Sequence, residues 1–214
     1  MSEDMSEPCC AAVILAAGAS SRLGQAKQLL AIGGEPLLRR AVRIAGEAGC
    51  QPIIVVLGFE ADRMRSALDG FRVIVAVNED WRAGMGSSMR CGVESALQVS
   101  RPPEAILLMV CDQIRLSADV LRQLLRLRGL ANYPITAARY GGHLGVPAVF
   151  SSIFFPDLLD VRGDRGARGI LERNAARVGV VDFQEGELDL DTPDDLEKST
   201  LLSGTAKCCP KLDV

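Results

Sequence analysis

The sequence predicts an α/β fold, with a mostly parallel central sheet and helices on both of its faces. Three observations point there. Short β-rich runs alternate with longer stretches of helical period, the pattern of strand and crossover helix. Two of those runs, "PIIVVLG" from Pro52 and "AILLMV" from Ala105, are apolar on both faces, as central strands covered on each side must be. The chain of 214 residues is 48% hydrophobic and 24% charged, a composition that folds as a globule and buries a sizeable core.

Taken in order, strands are expected at about 11–16, 52–57, 72–77 and 105–110, and helices at about 36–48, 60–69, 86–98 and 117–128. From residue 133 the pattern loosens into "YPITAARYGGHLGVPAVF". Glycine and proline interrupt the alternation there, as in bent strands or a β-arm over the edge of the sheet. Helices at about 151–158 and 166–175, a strand "VGVVDF" and a last helix from Pro193 complete the expectation. No repeat or low-complexity linker divides the chain, so residues 11–202 read as a single domain between flexible tails, 1–10 and 203–214.

The net charge of −3, without any block of like charges, argues against a nucleic-acid partner. No apolar run reaches the roughly 18 residues of a membrane span, and the acidic opening "MSEDMSEPCC" does not read as a secretory signal. A cytoplasmic protein is expected. Of seven cysteines, Cys50, Cys91 and Cys111 stand singly at the edges of apolar segments, as small core residues do. The vicinal pairs Cys9-Cys10 and Cys208-Cys209 lack the spacer usual in zinc sites.

In open α/β sheets ligands bind beyond the carboxyl ends of the strands. Four segments there can carry chemistry. The loop "AAGASSRLGQAK", residues 16–27, follows the first strand. Gly18 and Gly24 permit positive φ and close approach of backbone N–H groups to an anion, while Arg22 and Lys27 supply charge, so the segment reads as a phosphate cradle or as a solvated strand-to-helix loop. Its spacing is neither that of a P-loop nor that of the Gly-x-Gly-x-x-Gly fingerprint. In "RAGMGSSMRCGV", Gly84 and Gly86 precede Ser87 and Ser88 at a helix start. Either serine can serve as the N-cap, and the glycines leave the helix N-terminus open to a ligand oxygen. Asp112 ends the buried strand "LLMVCDQ", where an unpaired carboxylate is costly; it suits a divalent-metal ligand or a cap of the next helix, for which Ser117 is the better candidate. In "LDLDTPDDL", Asp189 and Asp191 share one face if the segment is extended. Thr192, Pro193, Asp194 and Asp195 have the pattern of a helix start.

His143 is the chain's one histidine and lies in a glycine-rich loop, as a solvated side chain or a substrate contact. "GDRGAR" places Arg165 and Arg168 beside glycines, as surface charge or as a fork for an anion.

In order, "LAAGASSRLGQAK", "GMGSSMRCGV", "CDQ", "GVPAVF", "GDRGAR" and "LDLDTPDDL" resemble the nucleotidyltransferase family that includes molybdenum cofactor cytidylyltransferase and the related guanylyltransferase. The resemblance spans nearly the whole chain. It implies a three-layer Rossmann-like nucleotidyltransferase fold and a magnesium-dependent transfer of a nucleotide from CTP to molybdopterin. A client molybdoenzyme or its chaperone is an implied partner. It also implies that Leu15, Ala16, Ala17 and Gly18 run along the nucleobase and ribose, that Arg22 and Lys27 meet the triphosphate, and that Gly86 and Ser88 contact the nucleotide. Asp112 and Asp189 match the metal carboxylates, with Asp191 as the fallback. Two alanines before Gly18 resemble the cytidylyl branch more than the guanylyl one. Ile114 replaces a proline common in the family, and Val146 stands where many members carry histidine. Both departures lie on the acceptor side, where His143, Arg165, Arg168 and Asp191 are the expected contacts. Another small phosphate, or a cofactor-delivery protein that catalyses little, is the alternative.

Overall fold

Strands that are apolar on both faces have to be covered twice, and two helical layers do so here. The computed structural model describes residues 9–20, 23–131 and 133–187. In chain order the elements are β1 (Cys10–Leu15), β2 (Ala31–Ile32), β3 (Glu35–Pro36), α1 (Leu37–Glu47), β4 (Ile53–Leu57), α2 (Ala61–Ser66) and β5 (Ile74–Val77). They continue with α3 (Met85–Leu97), β6 (Ala105–Val110), α4 (Ala118–Ala131), β7 (Ile135–Tyr140), β8 (His143–Ser151), α5 (Phe155–Asp160), α6 (Arg168–Arg173) and β9 (Val178–Asp182). β2 and β3 form a separate small hairpin, and the other seven strands make one sheet in the order β5-β4-β1-β6-β8-β7-β9.

Successive side chains of a strand point to opposite faces, and β1 shows the consequence. Ala12 and Ile14 pack with Leu38 of α1, Met64 of α2 and Leu121 of α4. Ala11, Val13 and Leu15 pack with Met89 of α3, Leu158 of α5 and Ile170 of α6. The α3 layer lies especially close, because a Cβ on Gly92 would collide with Val13 and come within 2.8 Å of Val56 Cγ2. β1 is parallel to both β4 and β6. Connections through α1 and α2 cover one face and the connection through α3 the other, so the winding reverses between β1 and β6. A crevice opens outside the carboxyl ends at such a reversal.

The first four major strands and helices stand close to their expected places. The segment from residue 133 does not form an arm over the edge. β8 is inserted within the sheet, antiparallel to both β6 and β7, and β9 lies at the edge, parallel to β7. The reason is visible at Gly145, where a Cβ would meet the Tyr140 ring, 2.8 Å from its Cζ. The glycine there permits close packing rather than marking a loose edge. Since β8 continues to Ser151, the following helix begins only at Phe155. The segment expected as helix 166–175 divides into α6 and a 3-10 turn, Ala175–Arg177. Cys50 and Cys111 are buried as expected, but Cys91 is only half-buried. β1 begins at Cys10, inside the segment expected to be a tail. The helix expected from Pro193 and the C-terminal tail lie outside the described residues. No described helix is long and apolar enough to cross a membrane.

Candidate active site

The crevice between β1 and β6 is where the first and third candidate segments meet. Lys27, at the end of the loop after β1, forms an ion pair with Asp112 Oδ2, just beyond β6. Both side chains are mostly buried, at 17% and 14% exposure, where an ion pair is far less screened than on the surface. Asp112 Oδ1 is buried and has no hydrogen-bond partner among the described residues. A buried carboxylate oxygen left this way costs free energy unless a ligand completes it. The oxygen and the site's anionic donor fit a hard divalent cation, which takes carboxylate oxygens together with substrate phosphates. Asp189, Asp191 and Arg22 lie outside the described residues, and no cluster of three potential metal ligands occurs among the described ones.

The loop itself is held from beneath by Gln28, which is 1% exposed. Its amide nitrogen donates to the carbonyls of Ala16, at 3.0 Å, and Gly18, at 2.7 Å. Ser20 Oγ accepts from the Lys27 amide at 3.2 Å, closing the loop's far side. Gly24 takes the expected positive φ of 66°, whereas Gly18 does not, and among the loop's described residues Ser20 is also left-handed, at 52°. Leu15, Ala16 and Ala17 are buried beneath the crevice, and Gly18 is exposed at its mouth.

Beyond Asp112, Gln113 is 3% exposed and donates to Val146 O of β8 at 3.0 Å. Tyr140 Oη donates to the same carbonyl at 2.9 Å. Arg40 of α1 donates to the carbonyls of Gln113, at 3.4 Å, and Leu116, at 2.5 Å. Burial lowers the pKa of this guanidinium from its ordinary value. Together these bonds fix the turn that carries Asp112. Burial pushes the thiol of the neighbouring Cys111 up to about 12, with the charge of Asp112 acting in the same sense. It is therefore no thiolate near neutral pH and no candidate nucleophile.

The second segment is arranged differently from the expectation. α3 starts at Met85 with Gly84 as N-cap, so neither serine caps it. Gly84 holds a φ of 98°, which only glycine adopts without strain. A Cβ on Gly86 would sit 2.9 Å from Val161 O and 3.0 Å from Gly163 O, so the segment 161–163 occupies the space above this glycine. Ser87 and Ser88 are buried in the first turn, where both accept from Asn78, at 2.9 and 3.0 Å.

The acceptor-side candidates are spread out. His143 is exposed at the β7–β8 turn, its Nδ1 3.0 Å from Gly141 O and its ring edge-on to Tyr140. Arg165 and Arg168 line a cavity of about 540 Å³ with Asp164 and Glu172, and Arg168 is already paired with Glu172 at 2.8 Å. The structure thus joins Lys27 to Asp112 and leaves His143 and the two arginines apart. Gln28 and Asn78 were not singled out from the sequence. A polar residue after a strand has the same pattern whether it faces water or braces a loop.

Comparison with known proteins agrees with this geometry. Residues 12–178 match the family model described as the MobA-like NTP transferase domain. The chain is 33% identical to a protein named nicotine blue oxidoreductase from Paenarthrobacter nicotinovorans, over 88% of this chain and 95% of that one. It is 30% identical to the purine catabolism protein PucB of Bacillus subtilis, over 90% and 97%. Among solved structures, Rv0371c of Mycobacterium tuberculosis superimposes with a TM-score of 0.75 at 30% identity, covering 92% of this chain and all of that one. Rv0371c has also been solved in complex with manganese. The chain is a nucleotidyltransferase that belongs to the MobA-like NTP transferase family.

Proposed function

We propose that the protein transfers CMP from CTP to the terminal phosphate of molybdopterin. The observation that carries nucleotidyl transfer is the Lys27–Asp112 pair at the crevice, with Asp112 Oδ1 left over. The preference for CTP rests on Ala16-Ala17-Gly18, and molybdopterin on the resemblance of the remaining motifs.

An oxygen of the acceptor phosphate, already ionised near neutral pH, attacks the α-phosphorus of CTP in line. The bond from the α-phosphorus to the bridging oxygen breaks and pyrophosphate leaves. The step requires no general base, so its barrier falls mainly through positioning and neutralisation of charge. Gln28 holds the Ala16 and Gly18 carbonyls and thereby aims the loop's amides at the nucleotide. Asp112 and Asp189 would hold magnesium, which would supply positive charge to offset that of the phosphates. The manganese complex of Rv0371c supports a divalent metal of this kind. When CTP binds, Lys27 leaves Asp112 and, with Arg22, stabilises the charge that builds on pyrophosphate. Arg165 and Arg168 receive the acceptor's anionic part, and His143 is a further contact to the acceptor. A client molybdoenzyme, or the chaperone that loads it, takes up the product.

The test is pyrophosphate release with each of the four NTPs and magnesium, with and without molybdopterin. Release from CTP that depends on molybdopterin is expected. Release from GTP, or with a sugar phosphate as acceptor, would assign a different member of the family. A second reading comes from the name of the relative at 33% identity, which is that of an oxidoreductase. The loop after β1 lacks the dinucleotide fingerprint, and NADH oxidation by the purified protein in the same assay would favour that reading.

A further inference from the structure

Asn78 follows β5 at the carboxyl end of the sheet and is 6% exposed. Its Oδ1 accepts from the Asp80 amide at 3.0 Å, which fixes the amide's orientation. The Nδ2 group therefore faces Ser87 Oγ and Ser88 Oγ and donates to both. The two hydroxyls then differ. Ser87 Oγ lies 2.9 Å from Asp80 O and 2.8 Å from Gly84 O, so its proton is taken by a backbone carbonyl. Ser88 Oγ makes one hydrogen bond among the described residues, the one that it accepts, and its proton has no acceptor there. A hydroxyl has one proton to donate. With one of its two lone pairs committed to Asn78, which turns the hydroxyl outward, the proton of Ser88 is left for a ligand.

We infer that Asn78 is a positioning residue that sets the polarity of Ser88, so that Ser88 meets the nucleotide as a hydrogen-bond donor. The group recognised is an acceptor oxygen or ring nitrogen of the nucleotide, in the base or in a phosphate. This rests on the reading that Ser88 contacts the nucleotide. Asn78→Asp is nearly isosteric and keeps the bond to the Asp80 amide, but replaces the inward donor by an acceptor. The Ser88 proton then turns inward. Asn78→Ala removes all three bonds and leaves the Ser88 hydroxyl free to rotate and donate outward.

The ordering separates polarity from scaffolding. If Asn78 only supports the fold, the truncation is the more damaging change and the isostere the milder one. If it sets polarity, Asn78→Asp weakens CTP binding as much as Ser88→Ala does, about tenfold for one lost hydrogen bond, and Asn78→Ala weakens it less. Calorimetric titration with CTP measures all three, with thermal melting to verify folding. Charge repulsion by the new carboxylate is removed by a double-mutant cycle. In a Ser88→Ala background, Asn78→Asp is expected to add no further loss, whereas repulsion or misfolding would persist there. Titration with cytidine locates the acceptor. A loss retained with cytidine places it in the nucleoside, and a loss confined to CTP that vanishes in the cycle places it in the phosphates. Additive effects in the cycle, or an undiminished affinity in Asn78→Asp, overturn the role of Asn78 alone. Absence of CTP binding by the unaltered protein overturns the nucleotide reading as well.

Discussion

The two ends of the central sheet are built from different chemistry. At the carboxyl end lie five of the six buried polar side chains among the described residues: Gln28, Asn78, Ser87, Ser88 and Gln113. Each is bonded to backbone or to another of the five, and Asp112 stands among them. At the amino end the buried groups are Cys10 and Cys50, beside an open cavity of about 1390 Å³ lined in part by Cys9, Phe71, Ile74 and Arg43. The neighbouring Cys10 thiol, together with burial, raises the Cys50 pKa well above the ordinary thiol value. Apolar atoms and neutral thiols need few partners when buried. Polar groups need all of theirs, so the carboxyl end is organised hydrogen bond by hydrogen bond. Change at that end should therefore fall on ligand handling, and change at the other on stability.

The largest test is Asp112→Ala. Magnesium-dependent pyrophosphate release is expected to fall by about a thousandfold or more, with the melting temperature little altered. Near-normal turnover would remove Asp112 from the site. Lys27→Met comes next. Weaker CTP binding, by about tenfold or more, should accompany tighter binding of Mn²⁺ to the free protein, since the ion's competitor for the carboxylate is gone. Titration followed by electron paramagnetic resonance separates these two effects, and unchanged Mn²⁺ affinity would sever Lys27 from the metal position. At the amino end, Cys50→Ser buries a hydroxyl in place of a thiol and should cost about 1–3 kcal/mol. Denaturant melts would show that loss, while KM for CTP stays the same. A changed KM would mean that the two ends communicate.

The smallest effect belongs to Glu35, whose carboxylate receives Arg43 Nη2 at 2.7 Å and Nε at 3.0 Å. This hydrogen-bonded guanidinium lowers the Glu35 pKa below its ordinary 4.5. A depressed folded-state pKa stabilises the fold above the unfolded value and ceases to do so as pH falls through the folded one. Glu35→Gln is therefore expected to cost about 0.5 kcal/mol at neutral pH, given the exposure of Arg43, and nothing in acid well below 4.5. Melts at the two pH values would show a constant difference if the pair had no such role.

Elements whose hydrophobic period is local were legible in the sequence. β4 and β6 follow from their doubly apolar runs and α1 from its periodicity. β8 was not, since a strand's neighbours are not encoded in its own pattern. Gly145 carries the same letter whether it marks a loose arm or a seat for the Tyr140 ring. The donor loop and Asp112 could be placed at one end of the sheet by the rule for carboxyl ends. That Lys27 touches Asp112 requires the fold, because they are 85 residues apart. Gln28 shows the same limit more sharply, since its partners are backbone carbonyls, which have no signature in a sequence.

That separation along the chain also has a temporal side. β1 is made early, yet it lies in the middle of the sheet between β4 and β6. Both of its edges remain unpaired until those strands arrive, and closing so long a loop is slow compared with forming a hairpin. During synthesis the loop after β1 therefore exists as sequence before it stands opposite Asp112. A nascent chain that has not yet reached β6 has nothing opposite Lys27, so nucleotide can reward only the finished fold.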